Sequence, residues 1–258
     1  MQALRAAAFT AATASALAAL LAGCGLPLTS PGAGASHAAT RVERTTAGST
    51  SEASGAAAQG AWRLSPQQAR AAKAALDRLP VKGRAPKTGY SRDAFGPSWT
   101  DDVDVAGGHN GCDTRNDVLR RDLTAVRLKA GTRGCVVLAG ALADPYTGRT
   151  ISFVRGRASS ARVQTDHVVA LGDAWVTGAQ RLTVSQRTAL ANDPLELLAV
   201  DGRTNSAKRD ADAASWLPPN KAFRCAYVAR QVAVKARYRL WVTSAERASI
   251  ARVLGTCG

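Results

Sequence analysis

The chain has 258 residues, of which 46% are hydrophobic, and it carries a formal net charge of +15. This composition is rich enough in apolar residues for a domain with a buried core. The charge favours polyanionic partners, namely nucleic acid or the anionic polymers and lipids of a cell envelope, without choosing between them. No two of the five cysteines are spaced Cys-x-x-Cys, which argues against a structural zinc knuckle.

The first residues of the chain predict export. Residues 1–23 contain a single charge, Arg5, followed by a stretch of Ala and Leu that is typical of a secretory signal and too soon interrupted for a membrane span. Residues 21–24 resemble a bacterial lipobox, which implies that Cys24 becomes a lipidated first residue anchored to the membrane. The alternative is an ordinary cleaved signal with its site near residues 35–38. Either interpretation predicts an extracytoplasmic protein, as an anchored lipoprotein or in secreted form.

A linker and one domain follow this signal. Residues 24–60 consist mostly of Ser, Thr, Gly and Ala, so they predict a flexible tether, whereas residues 61–258 contain regularly spaced large apolar residues and predict one domain. The domain retains four cysteines, which suggest two disulfides in an oxidising compartment. Three pairings are possible, and we expect the local one, Cys112–Cys135 with Cys225–Cys257.

Elements of the domain follow in chain order. The first half predicts a helix at 66–79, a loop region at 81–111 and a second helix at 114–126. Two strands follow at 135–142 and 150–156, with a turn at 144–149 between them. The second half predicts a strand or strand-to-loop passage at 163–171, a short helix at 185–192 and a strand at 195–200. Three helices follow, at 205–216, 221–240 and 243–254. Capping boxes at Ser65 and Thr243 mark two of the helix starts.

Four polar residues in residues 163–208 form a candidate reaction site. A pair of strands followed by a helix can bring Asp166, His167 and Asn205 together. Carboxylate and amide oxygens suit a hard cation such as Mg²⁺, and a neutral imidazole can take a proton from water near pH 7. Lys208, one helical turn beyond Asn205, can face the same pocket and hold a phosphate. This set predicts hydrolysis of a phosphodiester.

The order of these residues resembles the HNH endonucleases, whose motif runs Asp-His-Ile/Val, then Asn-Leu, then Asn or His followed by x-x-Lys. The matches are "DHVV" (166–169) and "NSAK" (205–208). The wider chain resembles exported bacterial proteins related to the C-terminal domain of GmrSD-type restriction endonucleases, over the stretches "YSRDAFGPSW", "CDTRNDVLRRDL", "DPYTGRTISFVRG", "VQTDHVVALGDAW", "NDPLELLAVDGRTNSAKRDADAASWLPPN" and "CAY…VKARYRL". The resemblance implies an α+β fold with a ββα-metal (HNH or His-Me finger) core, additional helices and a short strand region.

Roles at the candidate site are also implied by the resemblance. His167 would be the general base, Asp166 and Asn205 would hold Mg²⁺ or Mn²⁺, and Lys208 would touch phosphate. Glu196 stands where the motif has the Asn that steadies the catalytic histidine. A Glu at this position can orient the loop, but it can also weaken catalysis.

Arginines outside the motif are further candidates for substrate contacts. Arg115 and Arg121 could hold a phosphate backbone by forked hydrogen bonds, and Asp117 could orient one of them. A solvated helix face with internal ion pairs is the alternative interpretation. Together the sequence predicts an exported, monomeric, metal-dependent endonuclease acting on nucleic acid, with DNA as the expected substrate. The alternative is a non-catalytic envelope lipoprotein that binds an anionic polymer.

Overall fold

The computed structural model describes residues 62–157 and 159–257. The predicted signal, the lipidation site at Cys24, the tether and the first residue of the predicted domain lie outside these residues. Within the described part of the chain, none of the helices combines the length and the apolar composition needed to cross a membrane.

Two small antiparallel sheets form the β-structure. Strands β1 (Leu123–Leu128), β2 (Val137–Ala143) and β3 (Thr150–Val154) form a meander in the order β1-β2-β3. Strands β4 (Val163–His167) and β5 (Leu197–Asp201) form a separate pair, in which Val163 lies opposite Asp201 and His167 lies opposite Leu197. The protein is therefore α+β, as the sequence predicts.

Seven α-helices accompany the sheets in the described residues: α1 (Pro66–Arg78), α2 (Thr114–Asp122), α3 (Leu171–Val176), α4 (Val184–Asn192), α5 (Gly202–Lys208), α6 (Arg224–Arg237) and α7 (Ser244–Leu254). Both predicted capping boxes are present. The Ser65 and Thr243 hydroxyls each accept from the backbone N–H three residues on, and their own backbone N–H groups donate to the side chains of Gln68 and Glu246. Helix α5 follows β5 without a loop, so that β4, β5 and α5 form a ββα unit.

Two of the predicted helices have the wrong bounds. The helix predicted over 114–126 ends at Asp122, because the following residues pair with β2 as strand β1. The helix predicted over 205–216 instead begins after Asp201, whose side chain caps it, and ends at Lys208. Arg209 has a φ of 55°, which a continuing right-handed helix cannot include.

Two apolar clusters surround the ββα unit. The larger one combines helices α1, α3, α4, α6 and α7 with one face of the unit, and the smaller one fills the space between α2 and the two sheets. The disulfides are Cys112–Cys135 and Cys225–Cys257, which confirms the predicted pairing. The second bridge ties the start of α6 to the residues that follow α7, so the two helices are held together at that end.

Candidate active site

The last two residues of β4 point to opposite faces of the strand, as the alternation of side chains requires. Asp166 and His167 are both buried, with 6% and 7% of their surfaces exposed. Each therefore has its own environment, and the two side chains do not form a joint pair.

Asp166 lies in a buried ion pair. The Lys208 ammonium donates to both of its carboxylate oxygens at 2.9 and 2.8 Å, and the Tyr146 hydroxyl donates to Oδ2. Lys208 also donates to the backbone carbonyl of His167, so it connects α5 to the end of β4. Burial and the neighbouring carboxylate raise the pKa of Tyr146 well above its ordinary value, which keeps this phenol protonated as a donor.

The imidazole of His167 is held by a backbone carbonyl and an indole. Its Nε2 lies 3.0 Å from the carbonyl oxygen of Ala191, at the end of α4, and the Trp99 ring stacks on it at 5.8 Å between centroids with an interplanar angle of 17°. Because a carbonyl only accepts, Nε2 carries the hydrogen and Nδ1 keeps its lone pair. The structure thereby selects the tautomer that a proton-accepting Nδ1 requires.

Burial sets the protonation of this ring. It lowers the pKa of His167 to about 3, the nearby cations Arg92 and Lys208 lower it further, and the Ala191 hydrogen bond offsets part of the effect. The imidazole is therefore neutral at pH 7. A cleft of about 40 Å³, lined by His167, Trp99, Arg92 and Asn192 among others, adjoins the ring. Water can therefore reach the ring.

The Glu196 side chain forms no hydrogen bond with the His167 ring. One of its carboxylate oxygens accepts from the Val169 N–H at 3.1 Å, and its backbone carbonyl accepts from the Val168 N–H at 2.9 Å. It is fully buried, and burial raises its pKa well above its ordinary value. Glu196 therefore fixes the backbone that follows His167, whereas the carbonyl of Ala191 orients the ring.

Asn205 and Asp166 do not form a common metal site as they are placed. The Asn205 amide donates to Gln164 at 2.9 Å, and the Asp166 carboxylate is neutralised by Lys208. Oxygen donors of this kind suit Mg²⁺, but a cation at Asp166 has to displace the lysine first. Across the residues that the structure describes, no group of three or more His, Cys, Asp or Glu side chains is placed to hold a metal ion.

Lys208 lies at the site, but it is not placed to hold a phosphate as the sequence predicts. Its side chain is fully buried, so it faces Asp166 and not an open phosphate pocket. Lys208 is the last residue of the short helix α5, and its side chain is buried.

The other predicted substrate residues lie around α2 and mostly brace the fold. Arg115 donates to the backbone carbonyl of Val163, and Arg121 pairs with Asp122 and donates to the carbonyls of Pro194 and Leu197. Asp117 accepts from Asn110 at 3.0 Å, and no arginine of the described chain donates to it. These contacts agree better with the alternative of an internally paired helix face, although Arg121 and Asp117 also line an open groove that shares Asn192 with the cleft at His167.

Three contributors to the site were missed in the sequence: Tyr146, Ala191 and Trp99. Ala191 acts through its backbone, which no side-chain pattern can reveal. Tyr146 stands in the polar turn "DPYTGR", where a large aromatic residue is unexpected, and this was an available signal for burial. The turn holds Tyr146 in place because the buried Asp144 carboxylate accepts from the backbone N–H groups of Tyr146, Thr147 and Asp201.

Comparison with known proteins identifies relatives of this chain. The family model described as "GmrSD restriction endonucleases, C-terminal domain" matches residues 113–253. An "Uncharacterized secreted protein" of the fungus Arthroderma benhamiae is 38% identical over 188 residues, which cover 72% of this chain and 84% of the relative. No solved structure matches the chain.

Proposed function

Because the chain belongs to the family of GmrSD restriction endonuclease C-terminal domains, we propose that it is an exported endonuclease that hydrolyses phosphodiester bonds of nucleic acid, with DNA as its substrate. The proposal depends chiefly on the protonation state and placement of the His167 imidazole. The ring is neutral, its Nε2–H is fixed by Ala191, and its Nδ1 is left as the proton acceptor beside a cleft of the size of a few water molecules.

In this proposal His167 acts as the general base for hydrolysis. Nδ1 takes a proton from a water molecule while the water oxygen bonds to phosphorus, and the bond from phosphorus to the bridging ester oxygen breaks. The leaving oxygen takes up a proton from solvent. A positioned base of this kind contributes about 10²–10⁴-fold to a rate.

Substrate binding should raise the pKa of His167 toward the value that a general base needs. A pKa of about 3 is too low for efficient proton abstraction at pH 7, but an anionic phosphate beside the ring favours the imidazolium form and raises the pKa. The phosphate is expected to bind at the open cleft beside the ring, where Arg92 and Trp99 also lie. Arg92 is exposed at this cleft and can then contact the phosphate.

Asp166 and Lys208 have a positioning role in this proposal. Lys208 ties the carboxylate of Asp166 and the carbonyl of His167 to α5, which fixes the end of β4 and thereby the imidazole. This role replaces direct phosphate contact by Lys208 and does not depend on a metal at Asp166.

An extracytoplasmic location accords with the two disulfides, because such bonds persist in oxidising compartments. The relative from Arthroderma benhamiae is a secreted protein by its name. The secretory signal and the lipidation of Cys24 remain part of the proposal. Edman sequencing and mass spectrometry of the exported protein distinguish a lipidated Cys24 from a cleavage site near residues 35–38.

The deciding experiment incubates supercoiled plasmid with the purified protein in Mg²⁺, in Mn²⁺ and in EDTA. We expect nicking by the wild type and a loss of at least about 100-fold in His167→Ala. His109→Ala is the matched control, because His109 is exposed and paired with Asp104, and this variant should cut normally.

Each arm has an outcome that contradicts part of the proposal. Equal nicking by wild type and His167→Ala refutes the assigned base. Loss of nicking in EDTA shows that cleavage requires a divalent cation, which contradicts the metal-independent role given to Asp166 and Lys208. No cleavage by the wild type under any condition, together with binding to anionic envelope polymers, supports the non-catalytic alternative, which the closed Asp166–Lys208 pair favours.

A further inference from the structure

Three arginines converge on one groove at the far end of the ββα unit. Arg149 lies in the turn between β2 and β3, Arg162 lies in the 3-10 turn that precedes β4, and Arg203 lies in the first turn of α5. Together with neighbouring residues they line a groove of about 520 Å³, which we call the arginine groove. Elements distant in sequence thus bring three exposed guanidinium groups to one concave surface.

The charges of the arginine groove are not neutralised by the fold. No carboxylate of the described residues lies within ion-pairing distance of Arg149, Arg162 or Arg203, whereas Arg84, Arg121, Arg237 and Arg247 each have such a partner. Asp201 also lines the groove, but its Oδ2 accepts from the backbone N–H and the hydroxyl of Thr204 at 2.7 Å each, which directs it toward the start of α5. Converging like charges repel one another, so an anion that binds between them is favoured.

The groove has a fixed relation to His167. In the β4–β5 pair, Val163 and Asp201 lie opposite each other at the groove end, and His167 and Leu197 lie opposite each other at the other end. The two ends are four residue steps apart along β4, which corresponds to about 13 Å. Duplex DNA rises about 3.4 Å per base pair, so this separation spans about four base pairs.

We infer that the arginine groove binds the nucleic-acid backbone about four base pairs from the phosphodiester that is cut at His167. Arginine matches phosphate oxygens by forked hydrogen bonds, and the contacts are to the backbone, so they add affinity and register without selecting a base sequence. The inference rests on the proposed nuclease function for its substrate, but binding can be measured without cleavage.

The test compares two triple variants of equal charge. The groove variant is Arg149→Gln, Arg162→Gln and Arg203→Gln. The control variant is Arg70→Gln, Arg78→Gln and Arg252→Gln, in which three exposed arginines of α1 and α7, none of them ion-paired in the described structure, are changed. Both are made in the His167→Ala background, and binding to a fluorescein-labelled 20-base-pair duplex is measured by anisotropy at several salt concentrations.

Expected binding differs between the two variants. Each phosphate contact contributes about 0.9 to the slope of log affinity against log salt, so the groove variant should lose about 2–3 from this slope and at least about tenfold in affinity. The control should lose less than about 1. A third variant with Lys at the three groove positions should keep most of the slope, which separates lost charge from disturbed folding. Equal losses in groove and control variants overturn the inference.

Cleavage assays separate this inference from the proposed function. With His167 intact, the KM of the groove variant for plasmid should be at least about fivefold higher than that of the wild type, and its kcat should stay within about twofold. Its rate of hydrolysis of bis(p-nitrophenyl) phosphate should equal that of the wild type. If the wild type cleaves nothing but the groove variant loses duplex binding, the nuclease function fails, and the groove stands as a binding site for the nucleic-acid backbone. If the wild type cleaves and the groove variant retains KM and slope, only the groove fails. Loss of binding to an anionic cell-wall polymer with unchanged duplex binding also overturns it.

Discussion

Asp166 and Lys208 form an ion pair with almost no access to solvent, and this makes the two residues interdependent. Removing one partner leaves an uncompensated buried charge, which costs about 3–5 kcal/mol of the free energy of unfolding. Lys208→Met should therefore destabilise strongly, because the Asp166 carboxylate keeps only the Tyr146 hydroxyl. In the double variant with Asp166→Asn both charges are gone, and the loss should be smaller than in Lys208→Met alone.

Urea denaturation of the two single variants and the double variant measures this coupling. An exposed pair provides the control, since Arg247 and Asp77 interact at 2.9 Å on the surface and should show a coupling below about 1 kcal/mol. Strictly additive losses for Asp166 and Lys208 would mean that the ion pair does not persist in solution.

His167 also determines how stability depends on pH. Its pKa is about 3 in the folded protein and 6.5 in the unfolded chain, so between these values only the unfolded chain binds the proton. Stability from this residue is therefore complete above about pH 6.5 and is lost as the pH falls toward 3, by up to about 1.4 kcal/mol per pH unit. His167→Gln, which does not titrate, should lack this part of the acid sensitivity.

Urea unfolding of wild type and His167→Gln at pH 7, 6, 5 and 4 gives the comparison. The difference in unfolding free energy between the two proteins should change steadily in favour of the variant below pH 6.5, whereas His109→Gln should follow the wild type. A constant difference across this range would show that the imidazole is protonated normally in the folded state.

At the scale of elements, the loop that contains Trp99 determines whether the end of β4 is closed to solvent. The Trp99 ring covers the imidazole, and its φ of 59° is unusual for a large residue, so the loop is held in a strained conformation directly over the base. Trp99→Ala should admit water to the ring and move the pKa of His167 upward from about 3 toward 6.5.

An NMR pH titration of the histidine ring protons measures this shift. Trp62→Ala is the matched control, because Trp62 is half-buried against Phe223 and has no contact with His167, and it should leave the titration unchanged. If His167 titrates near 6.5 already in the wild type, the loop does not close over it in solution.

Elements that depend on local signals were predictable from the sequence, and those that depend on distant partners were not. Capping boxes placed the starts of α1 and α7, and apolar runs placed β4 and β5. Leu123 and Val126 have a spacing that also suits a helix, and only pairing with β2 makes that segment a strand. Tyr146 and Trp99 reach the site across long sequence separations, so no periodicity near Asp166 or His167 could indicate them.

At the scale of the whole molecule, the two disulfides fasten separate regions. Cys112–Cys135 joins the residues before α2 to the turn before β2, and Cys225–Cys257 joins α6 to the chain after α7, with sequence separations of 23 and 32 residues. Loop-closure entropy gives each bridge about 3–4 kcal/mol, and the two loop lengths alone differ by only a few tenths of a kcal/mol. On this basis, replacing either pair by serines should lower the free energy of unfolding by a similar amount.

The two bridges should nevertheless differ in their effect on cleavage, because they lie at different distances from the candidate site. Helix α6 carries Tyr227, whose ring packs edge-on against Tyr146 at 5.8 Å, so Cys225→Ser with Cys257→Ser should also reduce cleavage. Cys112→Ser with Cys135→Ser does not involve α6, so its effect on cleavage should be the smaller of the two. Urea unfolding and plasmid nicking of both double variants give the two measurements, and an unfolding midpoint of the wild type that does not move in dithiothreitol would contradict both bridges.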